Sequence, residues 1–512
     1  MIGIENIRKH KKLLNNFKII VMHNDNNLKA AAIGRYKQFI DGSFVNNYPA
    51  QEYIEVFNPC TEELIARVPR GTQEDADKAI EAARKAQLKW SKRTSVDRAS
   101  FLKGMATVIR KNRVFLAETL AKEQAKIRSL AQVEIDVTAD YYDYYAGLAR
   151  SYEGEIIPSD RMGEQIFLHK FPIGVVVGIC PWNFPFFVMA RKVAPSLLTG
   201  NTIVVKVSEE TPLTCLEFAR LIEELDLPKG VLNIVCGFGE EIGEALTNNK
   251  DVGIISLTGS VQSGHKVMAA AAKNITKVSL ELGGKAPAIV CKDADLDLAV
   301  KAIVASRVIY SGQVCNCAER VYVEQEVYAA FIEKLVSAMK AVVSGNALED
   351  EGIAMSSQIN KKQLDKITGM VDKAVSDGAR VLLGGKKNNN FPKGYYYQPT
   401  ILVDVQQNSE IIQKEVFGPV LPVMKVKDFE EALEFANDCE YGLTSSVYTN
   451  DLNKVLKATK ELNFGETYFN RENFEAIQGF HAGWRKSGIG GADGKHGLEE
   501  YLQTKTIYIQ QS

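Results

Sequence analysis

The 512-residue sequence lacks an excess of charge of either sign: 62 Lys and Arg stand against 63 Asp and Glu. That balance gives no electrostatic attraction to nucleic acid or acidic membranes. Long apolar runs are also missing. The stretch IGVVVGIC at 173–180 is among the longest and is far shorter than the roughly 20 residues of a membrane span. The eight cysteines, at 60, 180, 215, 236, 291, 315, 317 and 439, show none of the clustering of a disulfide scaffold, which predicts reduced thiols in a cytoplasmic protein. Histidine is scarce, six in all and none near the Cys315-x-Cys317 pair, so four tetrahedral metal ligands are not assembled there and no metal is expected. No secretory cleavage pattern follows the basic cluster Arg8, Lys9, Lys11 and Lys12. Residues 1–35 read as a poorly ordered extension, with a start at Met22 or a targeting helix as the alternatives.

What is present is a 46% hydrophobic chain, long enough for about three domains. In YKQFIDGSFV, Asp41-Gly42 between apolar segments predicts a two-residue hairpin. Thr72 is placed to cap a helix running to Trp90, and helical periodicity continues over 96–148. From Ile173, strand-like IGVVVGIC, TIVVKV, VLNIVCG, VGIISLTG and KVSLELG alternate with helix-like segments. That alternation predicts an α/β fold with a doubly wound, Rossmann-like parallel sheet and a ligand at the carboxyl ends of its strands.

Three clues point to a dinucleotide. Gly237, Gly239 and Gly243 follow a strand, one residue longer than the usual glycine spacing. Gly259 and Ser260 in TGSVQSG open a helix whose amides can face a pyrophosphate. In VVKVSEETP, Lys206 and Glu209 flank a strand end, where a carboxylate holds ribose hydroxyls and repels a 2′-phosphate, favouring NAD over NADP. Turn glycines and solvated loop charges are the plain structural readings of the same residues.

Two readings remain for Cys315, in IYSGQVCNCAERVYV: a reactive thiolate on a short helix-to-strand connection, or a packed thiol. Upstream, LELGGKAP puts Glu281 at a strand end, where a carboxylate can activate water or accept a thiol proton. PWNFPFF supplies Asn183, whose amide with the Cys315 backbone N–H can donate to an oxyanion.

With PWNFPF, VVKVSEETP, TGSVQSG, LELGGK, SGQVCN and EVFGPVLPV in order, the sequence from about Tyr36 onward resembles the aldehyde dehydrogenase superfamily. The resemblance implies Cys315 as nucleophile, Glu281 as general base and Asn183 as oxyanion donor. It implies cofactor contacts at Trp182, Lys206, Ser208, Glu209, Gly239, Gly259, Ser260, Glu415 and Phe417, and leaves Cys317 as a packing thiol. Val207 replaces the proline usual after the motif lysine. Glu281 argues against a coenzyme A-acylating branch.

Within the family the likeness is to members acting on small 2-hydroxyaldehydes, lactaldehyde and glycolaldehyde. Arg191, eight residues after Asn183 on the same predicted helix, and Asn316, Glu475 and His481 are the expected substrate residues. Other aliphatic aldehydes or semialdehydes, and a non-catalytic dinucleotide-binding protein, are the alternatives. The implied architecture is a cofactor domain over 36–148 and 170–282, a catalytic domain over 283–497, and an oligomerisation arm from 150–169 and 498–512, in a homotetramer.

Overall fold

Five central strands carry the sequence's most apolar β-segments, and their side chains are almost all buried. In the computed structural model, which describes residues 33–45 and 52–511, they pair in parallel in the spatial order Lys277–Glu281, Val252–Thr258, Val175–Ile179, Thr202–Lys206, Leu232–Val235. Strand order reverses across Val175–Ile179, the switch point at which doubly wound sheets open a ligand crevice. The predicted part of 1–35 up to residue 32 lies outside the described residues.

Antiparallel strands finish both edges. Gln38–Ile40 joins Leu232–Val235, and its hairpin to Ser43–Val45 turns on Asp41 and Gly42 at φ 52° and 69°, the left-handed pair that a two-residue hairpin needs. At the other edge Gly488–Ile489 pairs with Leu280 and Glu281. A late segment of the chain therefore completes the first sheet.

The helices follow local signals. Thr72 caps Gln73–Trp90 in a capping box with Asp75, an arrangement typically worth about 1 kcal/mol. The expected helical stretch resolves into Ser95–Lys111, Arg113–Gln124 and Arg128–Gly147, the last two parted by Ala125 at φ 55°. Helix Pro185–Thr199 is buried along nearly its whole length and ends at Gly200, φ 92°. It begins after Asn183. Asn183 thus lies on the entering loop and not on the helix with Arg191, because Pro185 takes the first helical position, where its missing N–H costs nothing.

A second, seven-stranded sheet has the order Arg380–Leu383, Thr400–Val403, Val420–Val426, Arg320–Glu324, Pro287–Val290, Thr444–Tyr448, Glu466–Phe469. All neighbours run parallel except the first pair. A third, antiparallel sheet pairs Leu502–Gln510 with Glu164–Pro172 and then Glu155–Ile157. Its Ile156, Tyr508 and Ile509, and Met162 in the turn between its first two strands, are exposed. No helix among the described residues is long and apolar enough to cross a membrane.

Candidate active site

One cleft of about 870 Å³ opens at the carboxyl ends of the first sheet and collects all nine expected cofactor residues, Trp182, Lys206, Ser208, Glu209, Gly239, Gly259, Ser260, Glu415 and Phe417, together with Asn183 and Cys315. The donor set suits a dinucleotide. Lys206 ends its strand with Nζ 3.0 Å from Glu209 Oε2, a cation and a carboxylate at one place. Ser260 caps the twelve-residue helix Val261–Ala272 by accepting from the Ser263 N–H, which leaves a helix N-terminus on the cleft wall. Gly239–Gly243 is a π-helical turn, and a side chain at Gly239 would meet open space.

Glu415 Oε1 accepts the Gly284 N–H at 2.7 Å. Desolvation pushes its carboxyl up to about 7, against the opposing charge of Lys366. The Phe417 ring meets Trp182 edge-on, centroids 5.5 Å apart.

Cys315 is half-buried at the inner end of the cleft, on the turn after helix Leu296–Val308. The chain reaches it through Tyr310, Ser311 and Gly312 at φ 43°, 55° and 78°, a left-handed run. A Cβ on Gly312 would fall 2.3 Å from the Gly418 backbone, and one on Gly284 would fall 2.6 Å from the Cys315 carbonyl, so both contacts require glycine. Asn183 Nδ2 donates to the Gln313 carbonyl at 3.1 Å, fixing the amide beside this turn. Lys126 holds the same loop from behind, bonding the Asn183 carbonyl at 2.7 Å and pairing with Glu134, whose carboxylate also accepts the Phe186 and Phe187 N–H groups at the helix start.

Cys317, two residues on, faces the interior at 1% exposure. Its Sγ takes a contact from Arg307 Nη2 at 2.9 Å and donates to the Val314 carbonyl, and burial pushes the thiol up to about 12. All eight cysteines are free. Among the described residues, the group of three ligand-type side chains at Cys291, Asp293 and Glu324 is bridged by the Lys454 ammonium, 2.7 Å from Asp293 and 3.1 Å from Glu324.

A buried charge cluster stands apart from the cleft wall and contains Glu281 and the four expected substrate residues. Arg191 donates to Asp493 at 3.0 and 2.5 Å and to Glu475 at 2.8 Å, and its Nη1 lies 3.7 Å from Glu281 Oε2. Asn316 Nδ2 donates to the other Glu475 oxygen. His481 is 2% exposed; its Nδ1 is 2.9 Å from Glu466 Oε1 and its Nε2 is 4.0 Å from Glu281 Oε2. Burial opposes a charge on this imidazole, but Glu466 outweighs it and raises the ring well above the ordinary histidine range. Asp493 is raised to about 6, by desolvation against the pull of Arg191, whereas in Glu475 the Arg191 charge prevails and lowers the carboxyl.

Asp493 and Glu466 went unmarked in the sequence. Each is an acid in a loop or a short strand with no local motif, and it acquires meaning only from a cationic partner brought to it by the fold.

Residues 44–507 match the aldehyde dehydrogenase family model. Lactaldehyde dehydrogenase of Escherichia coli is 56% identical over 93% of this chain and 99% of its own. The crystal structure of that protein superposes with a TM-score of 0.92, covering 94% of this chain and all of the other. A 3,6-anhydro-L-galactose dehydrogenase in complex with NAP is 40% identical, TM-score 0.90, over 93% of this chain and all of that one. Betaine aldehyde dehydrogenase of Staphylococcus aureus in complex with NAD+ is 35% identical, TM-score 0.90, over 93% of this chain and 95% of that one. The chain belongs to the aldehyde dehydrogenase family and is a nicotinamide-dinucleotide-dependent dehydrogenase of aldehydes.

Proposed function

We propose that the protein oxidises small 2-hydroxyaldehydes with NAD, lactaldehyde to lactate and glycolaldehyde to glycolate. The observation that carries this is the polar cluster of Arg191, Asn316, Glu475 and His481, in which Asn316 directly follows Cys315. Most of the Arg191 donors are taken by Asp493 and Glu475, so a substrate hydroxyl would be met by His481 Nε2, Arg191 Nη1 and the Asn316–Glu475 pair. A pocket of such groups disfavours an aldehyde that leaves them unbonded. The likeness to lactaldehyde dehydrogenase supports the same reading.

Cys315 Sγ attacks the aldehyde carbon. Asn183 and the Cys315 N–H donate to the oxygen that becomes negative, each such donor being worth about 100- to 1000-fold in rate. A dinucleotide held in the cleft would supply the hydride acceptor. Glu281 takes a proton from the water that attacks the thioester, and the carboxylate product and the thiol are released. Lys206, Ser208 and Glu209, Ser260, Glu415 and the Trp182–Phe417 pair would hold the dinucleotide, and the Glu209 carboxylate disfavours a 2′-phosphate.

Exposed apolar side chains on the hairpin Glu155–Ile157, Glu164–Pro172 and on Leu502–Gln510 support its pairing with another copy in a homotetramer. The cofactor domain would then be 36–148 with 170–282 and the catalytic domain 283–497. The scattered free thiols support a cytoplasmic setting.

The test is a panel of lactaldehyde, glycolaldehyde, succinate semialdehyde and propanal with NAD or NADP, followed by the absorbance of the reduced nicotinamide. Higher kcat/KM for both hydroxyaldehydes with NAD is expected; equal values for propanal and lactaldehyde would remove the hydroxyl-reading pocket.

A further inference from the structure

Glu319 is 1% exposed and joins three segments that meet at the cleft. One of its carboxylate oxygens accepts from Lys285 Nζ at 2.7 Å and from the Val416 N–H at 3.1 Å; the other accepts from Arg307 Nη1 at 2.7 Å and from the Phe417 N–H at 3.1 Å. Each oxygen thus takes one cation and one backbone amide. Desolvation opposes the charge, but Lys285 and Arg307 outweigh it and hold the carboxyl down at about 2.

The partners matter because of where they lie. Lys285 directly follows Gly283 and Gly284, and the Gly284 N–H is bonded to Glu415. Arg307 extends to the Gly312 carbonyl and to Cys317 Sγ, on both sides of the Cys315 turn. Val416 and Phe417 directly follow Glu415. Their carbonyls accept from Gln363 Nε2 at 3.2 and 2.8 Å, so this short segment is bonded through both its amides and its carbonyls. Phe417 is left-handed at φ 58°, a conformation that a non-glycine residue keeps only where its surroundings over-determine it.

We propose that Glu319 is a positioning residue for the cofactor: it sets residues 415–417 so that the Glu415 carboxylate and the Phe417 ring face the cleft. This rests on the reading of that cleft as the dinucleotide site. A carboxylate accepts from all four donors at once. A carboxamide in its place has one acceptor oxygen, and its NH₂ must point at a cation or an N–H, so the amides of Val416 and Phe417 cannot both stay bonded.

The experiment compares Glu319→Gln, Gln363→Ala and Glu415→Ala with the parent in the full-length protein. It reads KM for NAD, KM for lactaldehyde, and the iodoacetamide alkylation rate of Cys315 without cofactor. Glu319→Gln is expected to raise KM for NAD by about tenfold, as for loss of a hydrogen bond to a charged group, while the other two readings stay within about twofold. A KM for NAD within twofold of the parent overturns the proposal when Glu415→Ala raises it. If Glu415→Ala leaves it unchanged as well, the reading of the cleft has failed first, and the proposal fails with it. An equal loss in all three readings also overturns it, since a general packing role would do that. Should Glu319→Gln not fold, Gln363→Ala decides, because it frees the same segment without uncovering a buried charge: a selective rise in KM for NAD supports the proposal, and no rise overturns it.

Discussion

Glu281 Oε2 lies 3.7 Å from Arg191 Nη1, and it finds no hydrogen-bond partner among the described residues. The oxygen faces a buried cation, yet it is not committed to a donor. That is the condition of a group kept free to take a proton from water.

Glu281→Gln should therefore separate the two halves of the reaction. Steady-state turnover is expected to fall by about 100- to 10,000-fold, while a first burst of reduced nicotinamide, one equivalent per site, remains. Stopped-flow absorbance reads both, and a variant without the burst would move Glu281 out of the hydrolytic step.

Arg191 is the shared cation of Asp493, Glu475 and Glu281. Its replacement by alanine leaves the buried carboxylates of Glu281 and Asp493 and the half-buried one of Glu475 without their shared cation, and a loss of about 3–5 kcal/mol in unfolding free energy is expected. Urea denaturation measures it. Arg191→Lys keeps the charge but not the planar fork and should fall between the two. Substrate selectivity is better examined with His481→Asn and Asn316→Ala, which should weaken lactaldehyde use more than propanal use.

With its carboxyl at about 7, Glu415 is partly protonated in the neutral range. Ribose hydroxyls donate to a carboxylate, so binding favours the deprotonated form, and NAD affinity should rise with pH through 7. On the acid side KM for NAD should climb by at most about tenfold per pH unit. Glu415→Gln should flatten the profile; a parent enzyme with a flat profile from pH 6 to 8 would end this account.

Two cysteines two residues apart should behave as opposites. Iodoacetamide at pH 8 is expected to modify Cys315 and to leave Cys317 intact, since that thiol is enclosed and raised to about 12. Mass spectrometry of the shared peptide locates the label. Cys315→Ala should abolish turnover, and Cys317→Ala should retain it.

Asn183→Ala tests the oxyanion donor, with kcat expected to fall by about 100- to 1000-fold. The alkylation rate of Cys315 serves as the control: a parallel loss there would mean that the turn itself has moved.

Features set by near neighbours were legible in the sequence. The Asp41-Gly42 turn, the Thr72 and Ser260 caps and the buried parallel strands each depend on a few adjacent residues or on a short apolar run. Asn183 was placed two residues too far into its helix, because an apolar pattern alone does not show which residue takes the first turn; the proline does. Pairing with Leu502–Gln510 carries the strand from Glu164 on to Pro172, an extent that the apolar pattern alone does not mark.

By itself the sequence determined the alternation of strands and helices, the glycines required where the backbone turns sharply, and the presence of a thiol, an acid and an amide fit for acyl chemistry. Tertiary structure alone decided which charges meet. Asp493 reaches Arg191 across 302 positions, and Glu319 reaches Val416 across 97. The reason is physical: hydrogen bonding and apolar periodicity act along the chain and leave a local pattern, whereas the worth of a buried charge depends on the partner and the solvent exclusion that only the folded sheets supply.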